Sequence, residues 1–188
     1  GGAYQDDIKK HFNAMKRLVP DFQGLAILDG DKLELPDENN NGLEIIHWQH
    51  YEIENYYISP NLILKYVASI FDQEGGLFTD TNRIVMQEII EARLLDNVFG
   101  GDRQQLAEYK KASANLQKTL LKGLKMSSFA ERVFEEFSAR QDQPVFLRKG
   151  EYYRMIACLA PEEIPEEVNR KLDKLARLFS DISENRIN

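Results

Sequence analysis

The residues of this chain that could do chemistry gather early, and they are acidic. Asp29-Gly30-Asp31 follows the apolar run Gly24-Leu25-Ala26-Ile27-Leu28. Glu52 and Glu54 follow a second run, Leu43-Glu44-Ile45-Ile46-His47-Trp48. Two aspartates on either side of a glycine can turn both carboxylates toward one cation. Hard divalent cations want oxygen ligands, and magnesium commonly takes one or two carboxylates with waters and phosphate oxygens. A metal held this way stabilises charge on an attacked phosphate and acidifies its bound water, which is the chemistry of phosphodiester hydrolysis. Asp and Gly are also common turn residues, so the motif draws its weight from the apolar run before it and the acidic segment after it. Late in the chain, Arg148-Lys149-Gly150-Glu151 offers a second candidate. Lys149 could stabilise the transition state or the leaving oxygen, and Arg148 could hold a phosphate.

These side chains need a scaffold. Gly24–Leu28 is continuous, apolar and bounded by turn signals, as a fully buried strand is. Residues 43–48 read as a second strand. In open parallel sheets ligands gather at the carboxyl ends of strands, so all four carboxylates are expected at one edge. Ahead of the first strand, Ile8, Phe12, Met15 and Leu18 have helical spacing over Asp6–Leu18. Val19-Pro20-Asp21 ends that helix. A helix leading into a strand implies a parallel neighbour, expected upstream of residue 1. Lys32–Gly42 reads as a polar, acidic loop. Tyr51–Ile70 reads as helical, broken at Ser59-Pro60, with Leu62, Ile63, Tyr66, Val67 and Ile70 on its core face. Two-residue spacing on a helix sets side chains about 200° apart. One of Glu52 and Glu54 is therefore expected as a ligand, and the spacing does not choose between them.

The middle of the chain predicts helices over 81–98, 104–124 and 129–139, the first with Ile84, Val85, Ile89, Leu94, Leu95 and Val98 as its apolar face. Ser127 or Ser128 is a candidate cap. Gln143–Leu147 reads as a short last strand, and Tyr152–Leu159 as helix or strand. Glu166–Phe179 carries Val168, Leu172, Leu175 and Leu178 at helical spacing beneath a charged exterior. The expected organisation is a core over 1–72, a helical insertion over 73–142, and a final segment with the C-terminal helix over 143–188.

The 188 residues carry a formal net charge of −7, with 43% hydrophobic and 29% charged residues. That is an ordinary globular composition. The acidic balance counts against a module that coats DNA, which needs clustered Lys and Arg. The single cysteine, Cys158 in Met-Ile-Ala-Cys-Leu, permits no intramolecular disulfide and suits a reducing cytosol, where it reads as a small core residue. No apolar run reaches the ~18 residues of a membrane-spanning helix, and no signal peptide is recognisable. His47 and His50 lack the further ligands of a zinc site. Trp48, Tyr56-Tyr57 and Tyr152-Tyr153 read as core residues ahead of base-stacking platforms. No phosphate-binding loop or dinucleotide fingerprint exists. Asp-x-Asp after a strand also fits haloacid dehalogenase-type phosphatases, but Lys32-Leu33 follows where they need a hydroxyl residue.

LAILDGD followed by HYEIENYYISP resembles the second half of a Toprim-type nuclease domain, closest to that of bacterial AAA-ATPase-linked, overcoming-lysogenization-defect (OLD-like) proteins. Leu147–Arg154, LRKGEYYR, resembles a downstream segment of such proteins. The resemblance covers about residues 1–60 and 144–175. It implies an α/β fold with a small parallel, Rossmann-like sheet flanked by helices and a helical insertion. It implies Asp29, Asp31 and Glu52 or Glu54 as magnesium or manganese ligands, with Lys149 assisting. It further implies DNA or RNA as substrate, an ATPase domain upstream or in trans, a homodimer, a cytoplasmic location and a role in phage defence or DNA processing. The family's first motif, a glutamate after an earlier strand, would lie upstream of residue 1, so this chain alone is expected to be inactive. The alternative is a non-catalytic scaffold of the same shape that docks an ATPase or another partner.

Overall fold

The computed structural model describes residues 2–30, 37–73 and 79–184. The chain is mixed α/β, and its contacts divide it into two compact units. The first comprises the chain up to Tyr56 together with Ile164 onward, and the second is Tyr57–Glu163. The second is thus inserted in the sequence of the first.

The first unit is built on a small sheet. Strands β1 (Gly24–Leu28), β2 (Glu38–Asn40) and β3 (Leu43–His47) lie in the order β1-β3-β2. β1 and β3 are parallel, with Gly24 opposite Leu43 and Leu28 opposite His47. β2 runs antiparallel to β3. The sheet is therefore mixed, and this corrects the all-parallel expectation. The reason is local. Asn41 (φ 53) and Gly42 (φ 89) form a two-residue hairpin between β2 and β3. Asn-Gly is the preferred pair for a turn with both φ values positive, because neither residue is strained there. The end of the polar stretch read as loop is thus a strand and its turn. Lys16 fastens the hairpin, donating to the Asn41 carbonyl and, at 3.1 Å, to its Oδ1.

Helices cover both faces of the sheet. α1 (Gly2–Leu18) packs Phe12 against Leu43 and Ile45, with Ile8, Phe22, Ala26 and Leu28 around them. Strand alternation sends Leu25, Ile27, Glu44 and Ile46 to the opposite face. There α8 (Glu166–Glu184) lies, with Lys174 paired to Glu44. β1 is half-buried along its length, less covered than its apolar run predicts.

Past β3, residues 51–53 are a turn, and α2 (Glu54–Tyr57) is a single helical turn. Pro60 opens α3 (Pro60–Gln73), as its fixed φ favours. The Ser59 hydroxyl caps it, accepting from the Leu62 N–H at 3.1 Å.

The second unit is helical. Its core joins Leu62, Ile63, Tyr66 and Val67 of α3 to Met86, Ile89, Ile90 and Leu94 of α4 (Thr79–Asn97). Phe129, Val133, Phe134 and Phe137 of α7 (Met126–Arg140) complete it. The buried stripe of α4 is rotated from the expected one: Ile84 is exposed and Met86 is fully buried. Between them the expected long helix is broken into α5 (Arg103–Lys111) and α6 (Ala114–Leu120). The break falls at Ser113, whose hydroxyl caps α6. Lys125 stands at the N-cap of α7. Residues 143–147 form no strand, and Lys149–Cys158 is a 3-10 helical segment. Tyr152 is buried in it while Tyr153 is exposed, and Cys158 is half-buried beside the Ser69 hydroxyl, 3.6 Å away. Among the described residues, no helix is long and apolar enough to cross a membrane.

Candidate functional site

Because β1 and β3 are parallel, both release the chain at the same edge of the sheet. Asp29 and Gly30 leave β1 there, and Trp48 to Glu52 leave β3. Main-chain bonds lace the two exits together. The Trp48 N–H donates to the Leu28 carbonyl at 2.9 Å, and the Gly30 N–H to the Tyr51 carbonyl at 3.1 Å. Gly30 is buried in this junction. A Cβ placed on it would lie 2.3 Å from the carbonyl oxygens of both Trp48 and His50. No real Cβ tolerates that approach to main chain, so the residue after Asp29 must be glycine.

The carboxylates do not all share this edge as equals. Asp29 is exposed immediately beyond β1. Asp31 lies outside the described residues. Glu52 is only 3% exposed and sits in the turn before α2, not on a helix. The argument from helical spacing between it and Glu54 therefore does not apply. Glu54 opens α2 and is half-buried. Lys149 is exposed at the start of the 3-10 segment and belongs to the second unit. Its neighbour Glu151 is engaged locally, accepting from the Arg148 N–H at 3.1 Å and pairing with Arg154 at 3.3 Å. Among the described residues, no group of three or more His, Cys, Asp and Glu side chains is placed to hold a metal ion. What the edge offers is one solvent-facing carboxylate on a locked turn, followed by a second aspartate in sequence.

Behind this edge is a polar network that sequence reasoning missed. Tyr56 donates to Glu167 Oε2 at 2.5 Å, and its hydroxyl oxygen accepts from the N–H groups of Gln49 (2.9 Å) and His50 (3.2 Å). Glu167 Oε1 accepts from the Gln49 N–H at 3.1 Å and from Lys171. Lys171 also donates to the His47 carbonyl and stands 4.4 Å from the centre of the Trp48 ring. Both charged side chains are nearly buried, 11% and 8% exposed. The network thus holds the main chain of residues 47–50, which in turn clamps Gly30.

The electrostatics follow from this geometry. Burial pushes the Glu167 carboxyl up, but hydrogen bonds from Lys171, Tyr56 and the Gln49 N–H outweigh it and hold the group below its ordinary value. Burial, reinforced by the Glu167 carboxylate, pushes the Tyr56 hydroxyl well above the ordinary tyrosine range. The signal in the sequence was the Glu167-x-x-x-Lys171 spacing, which also describes any solvated helix pair. His47 completes the region. Its N–H donates to Asp37 Oδ1 at 3.2 Å, and its Nε2 lies 3.0 Å from Gln5 Nε2. In comparisons with protein-family models, curated proteins and solved structures, nothing matches the chain.

Proposed function

We propose that this chain carries part of a magnesium- or manganese-dependent site for phosphodiester hydrolysis of nucleic acid, DNA first, on a Toprim-like domain that works with an ATPase. One observation carries the reading. The paired exits of β1 and β3, locked at Gly30, present Asp29 to solvent at the edge where open parallel sheets bind ligands. In this reading Asp29 and Asp31 hold the cation through their carboxylates. The cation lowers the pKa of a bound water and offsets charge on the attacked phosphate. The roles rest on the first unit alone.

A second reading, a non-catalytic scaffold for an ATPase or other protein partner, is favoured by the burial of Glu52. A carboxylate enclosed at the strand exit serves the fold more readily than a solvent-facing cation. Calorimetric titration of manganese into the chain and into Asp29→Ala/Asp31→Ala separates the two. Micromolar binding that disappears in the double variant is the expected result, followed by magnesium-dependent cleavage of plasmid DNA. Equal or absent heat in both proteins would refute the metal site and leave the scaffold.

A further inference from the structure

The chain is acidic as a whole, but its charge is divided unevenly. From the start of α5 to the residue before α7, positions 103–125 hold six of the 24 Lys and Arg and one of the 31 Asp and Glu, a net +5, while the rest of the chain is −12. This stretch lies in the second unit, outside the residues that carry the family resemblance. Its fold turns the cations outward. Tyr109 and Leu121 are buried in the helical core with Leu106 against it, and Gln117 Nε2 donates to the Tyr109 carbonyl at 2.9 Å, which fastens α6 to α5. Arg103, Lys110, Lys111, Lys118 and Lys122 are all exposed. Lys110 pairs with Glu91 at 2.7 Å. The side chains of Arg103, Lys111 and Lys122 make no hydrogen bond or ion pair among the described residues. Helix stability does not explain all of this charge. Cations suit the last turn of a helix, which accounts for Lys110, Lys111 and Lys118. Arg103 opens α5 and Lys125 stands at the N-cap of α7, and at these positive ends a cation opposes the helix. Lys122 lies in the turn between α6 and α7.

We propose that the outer surface of α5, α6 and the turn after them binds the phosphate backbone of a nucleic-acid duplex without reading its sequence. The inference deepens the proposed function, on which it rests for the choice of nucleic acid among polyanions. Phosphate contacts of this kind come from exposed Lys and Arg and supply affinity and position. Lys111 and Lys122 flank α6, which is about 10 Å long, or about three base steps of ~3.4 Å each. At about 0.1 M salt the Debye length is ~10 Å, so the local positive charge acts on a bound phosphate while the more distant acidic charge is screened. Tyr109, the one aromatic residue of the stretch, is buried against Phe99, so the stretch offers no ring for stacking on the bases of a single strand. Leu116 and Leu120 are exposed, but each is two residues from Lys118, about 200° round α6. Apolar and basic groups therefore do not share the one face that a lipid surface takes.

Fluorescence anisotropy of a short labelled DNA duplex, titrated with the whole chain in EDTA, reads this surface without cleavage. Two unrelated sequences should bind equally, and the affinity should fall linearly with salt on logarithmic axes. Arg103→Gln/Lys111→Gln/Lys122→Gln should lower that slope by about three and weaken binding about tenfold or more at ~0.1 M salt, with the circular dichroism unchanged. Should the triple variant fail to fold, Lys122→Gln alone, in a turn, should lower the slope by about one. The equal charge change Arg17→Gln/Arg170→Gln/Arg177→Gln, on the first unit, should leave the slope as it is. Asp29→Ala/Asp31→Ala should bind the duplex no more weakly than wild type, so a blank manganese titration would sink the metal site and leave this surface standing. Absent duplex binding, an unchanged slope in the α5–α6 variant, or an equal loss in the first-unit variant would overturn the proposal. So would retention on phosphatidylserine vesicles without binding to the duplex.

Discussion

The Glu167–Lys171 pair gives the strictest test of the network behind the sheet edge. Glu167→Gln preserves the shape of the side chain but only one acceptor oxygen, which serves either Tyr56 or the Gln49 N–H. It leaves the Lys171 ammonium, only 8% exposed, with the His47 carbonyl and the Trp48 ring but no carboxylate. Removing one partner of a buried pair costs about 3–5 kcal/mol, and the retained acceptor reduces this to about 2–3 kcal/mol. Lys171→Met deletes the cation, its contact over the Trp48 ring and its bond to the His47 carbonyl, and should cost a similar amount. Both together replace the pair by uncharged side chains, which costs much less than the sum. The expected coupling is about 2 kcal/mol.

Urea unfolding followed by the fluorescence of Trp48 is the natural assay, since it is the only tryptophan and lies against Lys171. The pH dependence supplies a second handle. Glu167 is held below its ordinary 4.5 when folded, so its contribution is whole above that value and is lost as pH falls through the lower folded one. Tyr56 is shifted up from 10.0, so its contribution is whole below that value and is lost as pH rises beyond. The stability gap between wild type and Glu167→Gln should thus be flat from about pH 5 to 9 and shrink on acidification. Additivity of the two substitutions within about 0.5 kcal/mol, or a gap that widens in acid, would refute the account.

Three further substitutions probe the rest of the fold. Gly30→Ala drives a Cβ into two carbonyl oxygens and should destabilise the first unit by about 2–3 kcal/mol in the same urea assay. Gly123→Ala, with nothing within 4 Å, should change thermal stability little or raise it slightly. Phe134→Ala empties a fully buried site next to the rings of Phe146 and Tyr152 and should cost about 3–5 kcal/mol, read as a lowered melting temperature by circular dichroism.

Elements with a strong period were legible from the residues alone. β1 lies where its apolar run put it, the apolar stripe of α3 is buried as expected, and α1 buries Phe12 with Ile8 beside it while Leu18, expected on the same stripe, is exposed. What escaped depends on partners distant in sequence or on capping. Glu38-Asn39-Asn40 has no apolar pattern and is a strand only because Asn41-Gly42 folds it onto β3. That dipeptide was the available signal. Ser113 splits α5 from α6 by a cap that looks, in sequence, like any serine in a helix. Lys149–Cys158 is wound too tightly for either standard period to describe it. For the site, Asp29 at a strand end was readable. Its support was not, because Lys171 reads as charged exterior until the His47 carbonyl, 124 residues away, is brought against it.

The interrupted first unit has a consequence for how the chain folds. Tyr56 and Glu167 are 111 residues apart, yet a hydrogen bond joins them across the gap in that unit. During synthesis the three strands and α1 emerge before the inserted unit, and α8 emerges after it. The inserted unit has its own core and is complete before α8 is made. Its early folding would replace a long flexible loop by a compact one, easing a closure whose cost grows only with the logarithm of length. Until α8 docks, one face of the sheet is bare and the main chain of residues 47–50 lacks its bonds to Glu167 and Lys171. The first unit is therefore the late, non-local step of folding, and it is where a nascent or truncated chain is most exposed to misassembly.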